Sequence, residues 1–290
     1  MTKSACLPAR TPALPPPIPS SKTTQSRARK PGIKAGAGQE ALPDTAPINS
    51  RVRAFREAFG AVGVMQSILL ASTFRSGSTY VAELLRHNGI VGLSIEKFNT
   101  IWKTSAGSDA AFRKAIDDIL CTSDAGVFAA KIMWTHRTDL ARCLRLERGQ
   151  STVLAESFPD PRWIWVKRRD KVRQAISFWR ARQSGRWHVF DGSTEPAIAY
   201  DFNEIRECYR EMLLHDVCWG DFFTQTGIAP LVVEYEDLKD DLPAQVAAMR
   251  TFAGRPAGGQ IVTQVRLKQQ SDTLTEEIYH RFMDDCHRYG

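Results

Sequence analysis

The most telling features of this chain are things it does not have. No apolar run approaches the ~18 residues that a membrane-spanning helix needs, so no membrane span is expected. The N-terminal region lacks the apolar stretch of a secretory signal, and the reading is against secretion. None of the six cysteines forms a C-x-x-C pair or a metal-like spacing, which excludes a zinc ribbon or a dithiol redox motif and gives no metal site. Several of them stand in apolar surroundings, where a reduced thiol behaves as a small hydrophobe, and a reducing cytoplasmic compartment is expected. Excess charge is also missing from the body of the protein. Of the net +7, residues 1–50 hold seven Lys/Arg against two acids, which leaves only +2 for residues 51–290. A body with that balance is not built to coat nucleic acid.

What is present divides into two parts. Residues 1–50 carry nine of the fifteen prolines with Ser, Thr, Gly and Ala, and almost no aromatic or β-branched core material. That composition predicts a disordered, basic extension, partly of polyproline II character. Residues 51–290 read as one domain. Arg51–Phe59 predicts an entry helix with Val52, Phe55 and Phe59 on one side. Apolar runs at 68–71, 126–134, 162–167 and 230–235 predict strands. Helical spacing follows at 78–88, 109–120, 138–148, 170–184, 201–225, 243–254 and 275–288. Strands alternating with helices imply a parallel sheet covered on both faces, hence an α/β three-layer sandwich.

Two strand-to-helix turns carry the chemistry. In Ser72-Thr-Phe-Arg-Ser-Gly-Ser-Thr79 a strand ends in small residues, and a helix opens at Ser78. Free backbone N–H groups and the helix dipole make such a turn an anion site, and Arg75 adds a fixed positive charge. Against the nucleoside-triphosphate loop G-x-x-x-x-G-K-[ST], Gly77 and Thr79 fit. Ser72 replaces the first glycine and Ser78 replaces the lysine that reaches β- and γ-phosphates. The turn thus cradles phosphate without the chemistry of triphosphate hydrolysis; the bland alternative is a tight turn with a Ser/Thr cap. The second turn, Trp165-Val-Lys-Arg-Arg-Asp170, opens the helix that holds Ser177. Basic residues at a strand exit sit where parallel sheets bind ligands, and a guanidinium with a hydroxyl clamps a phosphate monoester. Arg168 is the stronger candidate there; Arg169 and Lys171 read as solvated surface charges.

Four further residues stand out. Lys131 is the one charge in an otherwise apolar strand, where an unpaired ammonium is costly, so it is expected to pair with a donor or acceptor molecule. His136 is expected in a loop after that strand and is a candidate base. Trp187 and His188, in a Gly-rich stretch, suit either stacking on a sugar or adenine, or anchoring a loop.

The two turns together resemble the bacterial PAPS-dependent sulfotransferases of the trehalose 2-sulfotransferase type. The likeness runs through SxxRSGSTY, GVFAAKIMW, RRDKVRQAISFWRARQSGRWH, PLVVEYEDL and the late LKQQSDTLTEEI. It implies a P-loop nucleoside triphosphate hydrolase-like fold, a homodimer, and 3′-phosphoadenosine-5′-phosphosulfate (PAPS) as donor. The implied acceptor is a carbohydrate, whether disaccharide, glycolipid or lipopolysaccharide sugar. By position, Arg75, Ser76, Gly77, Ser78 and Thr79 would bind the 5′-phosphosulfate. Arg168 and Ser177 would hold the 3′-phosphate, and Glu96 would be the general base. The segment GLSIEKF departs from the family's GxPxEFF at Ser94 and Lys97. The alternatives left by the residues themselves are a P-loop small-molecule kinase, or a protein that binds the donor product without turnover.

Overall fold

The structure is a computed structural model and describes residues 48–90, 96–99, 101–105, 107–121, 123, 126–187, 198–255, 260–265 and 273–289. The tail expected at 1–50 thus lies almost wholly outside the described residues, as do Ser94 and His188. In chain order the elements are α1 (Ser50–Ala61), β1 (Gln66–Ser72), α2 (Ser78–His87), α3 (Ile101–Ser105), α4 (Asp109–Leu120), β2 (Val127–Met133), α5 (Trp134–Cys143) and α6 (Ser151–Ala155). There follow β3 (Pro161–Lys167), α7 (Lys171–Ser184), α8 (Phe202–Thr226), β4 (Leu231–Glu234), α9 (Leu242–Phe252) and α10 (Thr273–Tyr289).

The four strands form one parallel sheet in the order β2-β1-β3-β4. β1 is apolar along most of its length because it is central and buried on both faces. Side chains alternate across it: Leu69 and Ala71 join one core, Ile68 and Leu70 the other. The first core takes Val52, Phe55 and Phe59 of α1, together with Phe112, Ile116, Leu140, Trp219 and Phe222. The second takes Val81, Leu84 and Leu85 of α2 and Val246 and Met249 of α9. Each large side chain so buried contributes roughly 1.5–3 kcal/mol. Both faces of the sheet are therefore covered by helices. A third cluster packs Ala175, Ile176 and Trp179 of α7 against Ile205 and Met212 of α8 and Ile278 and Phe282 of α10.

This order places the site. From β1 the chain moves outward to β2, whereas from β3 it moves the other way to β4, so β1 and β3 flank a topological switch point. Ligands of open α/β sheets bind at the strand C-termini beside such a point. Register brings Ser72 opposite both Met133 and Val166, so the three strand ends lie level.

One element and two residues differ from expectation. α5 begins at Trp134, directly after β2, not at Thr138. Extended backbone at Met133 serves as its N-cap, and the His136 imidazole Nδ1 accepts the Met133 N–H at 3.4 Å, as an N3 side chain does in a capping box. His136 is therefore a buried helical residue, not a loop residue. Lys171 is not a solvated charge either. Its side chain is largely buried, pairs with Asp216 of α8 and donates to Gln174 Oε1 at 3.0 Å. Arg169 does remain exposed, paired with Asp237 at 2.6 Å.

Candidate active site

The turn from Ser72 to Ser78 is shaped by two residues of left-handed backbone, Arg75 at φ 59° and Gly77 at φ 88°. Such a conformation costs a non-glycine residue ~1–2 kcal/mol, so Arg75 has to be held there by its surroundings. Gly77 is demanded twice over. It has positive φ, and an added Cβ would lie 2.3 Å from Tyr235 Cδ2. No side chain caps the N-terminus of α2 at Gly77. The Ser76 hydroxyl is fully buried at this turn and has no hydrogen-bond partner.

Residues of β3 and α7 close on the same turn. Arg168 Nη1 donates to the Arg75 carbonyl at 3.3 Å, and its guanidinium lies over the Tyr235 ring at 5.4 Å. Its Nε is buried and unpartnered. Burial pushes the Arg168 pKa down, with Tyr235 and Asp170 pulling the other way, so a positive charge is held in a partly dry place. Arg75 Nε donates to Ser177 Oγ at 2.9 Å, and Nη1 donates to the Trp187 carbonyl at 2.6 Å. Arg75, Arg168 and Ser177 thus meet in one place, although the family likeness assigns them to two ends of a donor. Tyr235, which lies under both Gly77 and Arg168, escaped the sequence reading. Its one signal was its place at the C-terminal end of a predicted strand.

A second group of residues lies on the β2 side. Lys131, only 1% exposed, places Nζ 3.0 Å from Thr79 Oγ1 and 3.0 Å from Glu96 Oε1. The cost of burying its ammonium is met by these two side chains, so its partners are internal. Glu96 is partly exposed, and its second oxygen, Oε2, faces His136 Nε2 at 3.7 Å. Burial pushes the His136 pKa below its ordinary value, with Glu96 acting in the opposite sense. In the neutral form that burial favours, Nδ1 is occupied as an acceptor. The proton therefore sits on Nε2, toward Glu96. In that tautomer His136 offers a donor at this point and Glu96 an acceptor.

Phe74, on the turn itself, stacks on Phe178 at 5.2 Å and meets the edge of His136 at 6.3 Å. Trp187 completes this aromatic wall, 5.9 Å from Phe74 and 40% exposed. Lys97 points elsewhere. Its ammonium is buried without a hydrogen-bond partner, 4.6 Å above the Phe128 ring. Among the described residues, no three His, Cys, Asp or Glu side chains gather as a metal ion would require.

This arrangement links the turn and its uncapped helix start to the buried Arg168 and, through Lys131 and Thr79, to the Glu96 carboxylate. Comparison with known proteins points the same way. The chain is 24% identical over 258 residues to a trehalose 2-sulfotransferase of Mycolicibacterium smegmatis, covering 77% of this chain and 96% of that protein. It is 26% identical, with the same coverage, to a trehalose 2-sulfotransferase of Mycobacterium tuberculosis. The Stf0 sulphotransferase family profile matches residues 67–285, from the second residue of β1 into the last turns of α10. With both turns, the buried lysine and Glu96 inside that match, the chain belongs to the Stf0 sulphotransferase family.

Proposed function

We propose that residues 51–290 form a sulfotransferase domain that moves a sulfuryl group from PAPS to a carbohydrate hydroxyl, with a P-loop-like cradle at 72–79. The observation that carries this reading is the turn itself, where left-handed Arg75 and Gly77 lead into an α2 start that no side chain caps, with the Arg168 guanidinium beside it. Backbone N–H groups at a helix start and a guanidinium are donors suited to a ligand bearing several anionic oxygens. A donor with two phosphate-bearing ends fits this chemistry. Ser76, Gly77, Ser78 and Thr79 lie at the uncapped start of α2, and Arg75, Arg168 and Ser177 bring charge and a hydroxyl beside it.

The donor supplies a sulfuryl group carried on a phosphate leaving group. The protein's part is positioning and charge stabilisation, as in phosphoryl transfer. Glu96 Oε2 accepts the proton of the acceptor hydroxyl as the new O–S bond forms and the S–O bond to phosphate breaks, a contribution of ~10²–10⁴ in rate. Lys131 fixes Oε1 and ties the carboxylate to Thr79, so base and donor turn keep one geometry. His136 Nε2 faces Oε2 across 3.7 Å. Arg75 and the backbone N–H groups of the turn meet the charge that grows on the leaving oxygen. Trp187 and Phe74 offer apolar faces on which a sugar ring can stack.

The relatives' names direct the acceptor search to trehalose first, then to other disaccharides and glycolipid sugars. A homodimer in the cytoplasm belongs to the same reading.

Calorimetric titration with 3′-phosphoadenosine-5′-phosphate (PAP), beside ATP with Mg²⁺, tests the donor. The expected result is micromolar PAP binding, weakened roughly 10- to 150-fold in Arg168→Ala because a charged hydrogen bond contributes ~1.5–3 kcal/mol. Binding of ATP but not PAP would overturn the reading.

A further inference from the structure

The donor turn has a property that no residue assigned above explains. Each of its four successive carbonyls has a donor of its own. Trp219 Nε1, from α8, reaches the Ser72 carbonyl at 3.0 Å. The Ser76 N–H takes the Thr73 carbonyl at 3.4 Å. Gln174 Nε2, from α7, takes the Phe74 carbonyl at 2.7 Å and also the Thr73 hydroxyl at 2.8 Å. Arg168 Nη1 takes the Arg75 carbonyl at 3.3 Å.

In a planar trans peptide the following N–H points opposite the carbonyl, so fixing one end of the unit fixes the other. The peptides on either side of left-handed Arg75 are those held by Gln174 and Arg168. That residue is where the turn would most readily relax by a peptide flip. A flipped carbonyl would present negative charge where the turn has to accept an anion. Gln174 and Trp219 are both fully buried, and their N–H groups are already committed to the turn. The Gln174 amide is itself oriented. Lys171 Nζ, paired with Asp216, donates to Oε1 at 3.0 Å, which leaves only the NH₂ group free to face the turn.

We propose that Gln174 and Trp219 are positioning residues of the donor site, tethering the Phe74 and Ser72 carbonyls outward so that the turn keeps its anion-accepting form. Lys171 and Asp216 act one step further back by setting the Gln174 amide. The identity of the bound anion as PAPS rests on the function proposed above; the tethering does not.

The test uses the full chain with Gln174→Leu, Trp219→Phe and Lys171→Met. Trp219→Phe removes the indole N–H and keeps a ring in the core, so its fold is the safest of the three. PAP affinity by calorimetry is read beside acceptor KM, thermal midpoint and amide hydrogen exchange at residues 74–78. PAP Kd is expected to rise at least tenfold in Gln174→Leu and several-fold in Trp219→Phe and Lys171→Met. Acceptor KM should change less than twofold, and exchange at 74–78 should quicken without PAP. A purely structural role would lower the thermal midpoint and leave PAP affinity and local exchange at wild-type values, which would overturn the proposal. Faster local exchange in the variants, with no PAP binding by the wild type, would support the tethers and remove the donor reading instead.

Discussion

Replacing Gly77 by alanine puts the geometry of the donor turn to a quantitative test. The residue stands at φ 88°, where an L side chain is strained by ~1–2 kcal/mol. Its Cβ would come 2.3 Å from Tyr235 Cδ2 and 2.9 Å from Cε2, so the ring has to move. Overpacking of that kind costs ~1–3 kcal/mol. Together the two effects destabilise the protein by roughly 2–5 kcal/mol, or about 5–15 °C in thermal midpoint for a domain of this size. Function should suffer by a separate route. Arg168 lies over the same Tyr235 ring, so a displaced ring moves the guanidinium away from the Arg75 carbonyl and the anion site. Thermal scans and PAP calorimetry on Gly77→Ala, Tyr235→Ala and the double variant separate the terms. The clash is relieved in the double variant and the backbone strain is not, so it should be more stable than the sum of the single changes predicts. A Gly77→Ala protein with wild-type melting and wild-type PAP affinity would mean that neither the positive φ nor the Tyr235 contact constrains this turn.

Two pH-linked predictions follow from the buried titratable groups. Burial lowers the Lys97 pKa from 10.5 to about 8. Between those values the unfolded chain binds the proton and the folded chain does not, so stability should rise with pH from about 8 to 10.5. Lys97→Met should flatten that rise and, in urea denaturation at pH 7, add on the order of 1–3 kcal/mol. His136 and His215 both have pKa values lowered by burial from 6.5. Below that pH the unfolded chain protonates first, so stability should fall as pH falls. Urea midpoints across pH 5 to 7 should show a shallower decline in His136→Gln.

Much of this was legible in the residues because local pattern and tertiary role agreed. Ile68–Ala71 reads as a central strand since both its faces are buried, and Val52, Phe55 and Phe59 recur at the spacing of one helix face. Asp170 and Asp201 cap α7 and α8 through hydrogen bonds to the N–H groups of Arg173 and Glu204, a signal carried within three residues. What escaped depends on distant partners. α3 and α6, at five residues each, are too short to show a helical period. The early start of α5 rests on an imidazole folding back to cap Met133, which no periodicity records. Lys131 announced that it needed a partner, but the sequence does not say that the partner is Glu96, 35 residues upstream and on a turn. Lys171 looked like one more charge in a basic run until Asp216, from another helix, enclosed it. Gln174 and Trp219 are buried side chains that no sequence pattern singles out. Their role shows only once the carbonyls of the turn are traced to their donors.

If the site binds PAPS and Glu96 takes the acceptor proton, ³⁵S should pass from labelled PAPS to trehalose or to another disaccharide or glycolipid sugar. Wild type should yield a labelled sugar, and Glu96→Gln should transfer at a rate lower by ~10²–10⁴ with PAP affinity within threefold of wild type. Transfer by Glu96→Gln at the wild-type rate would contradict the assigned base, and PAP binding without transfer to any sugar would contradict the proposed reaction.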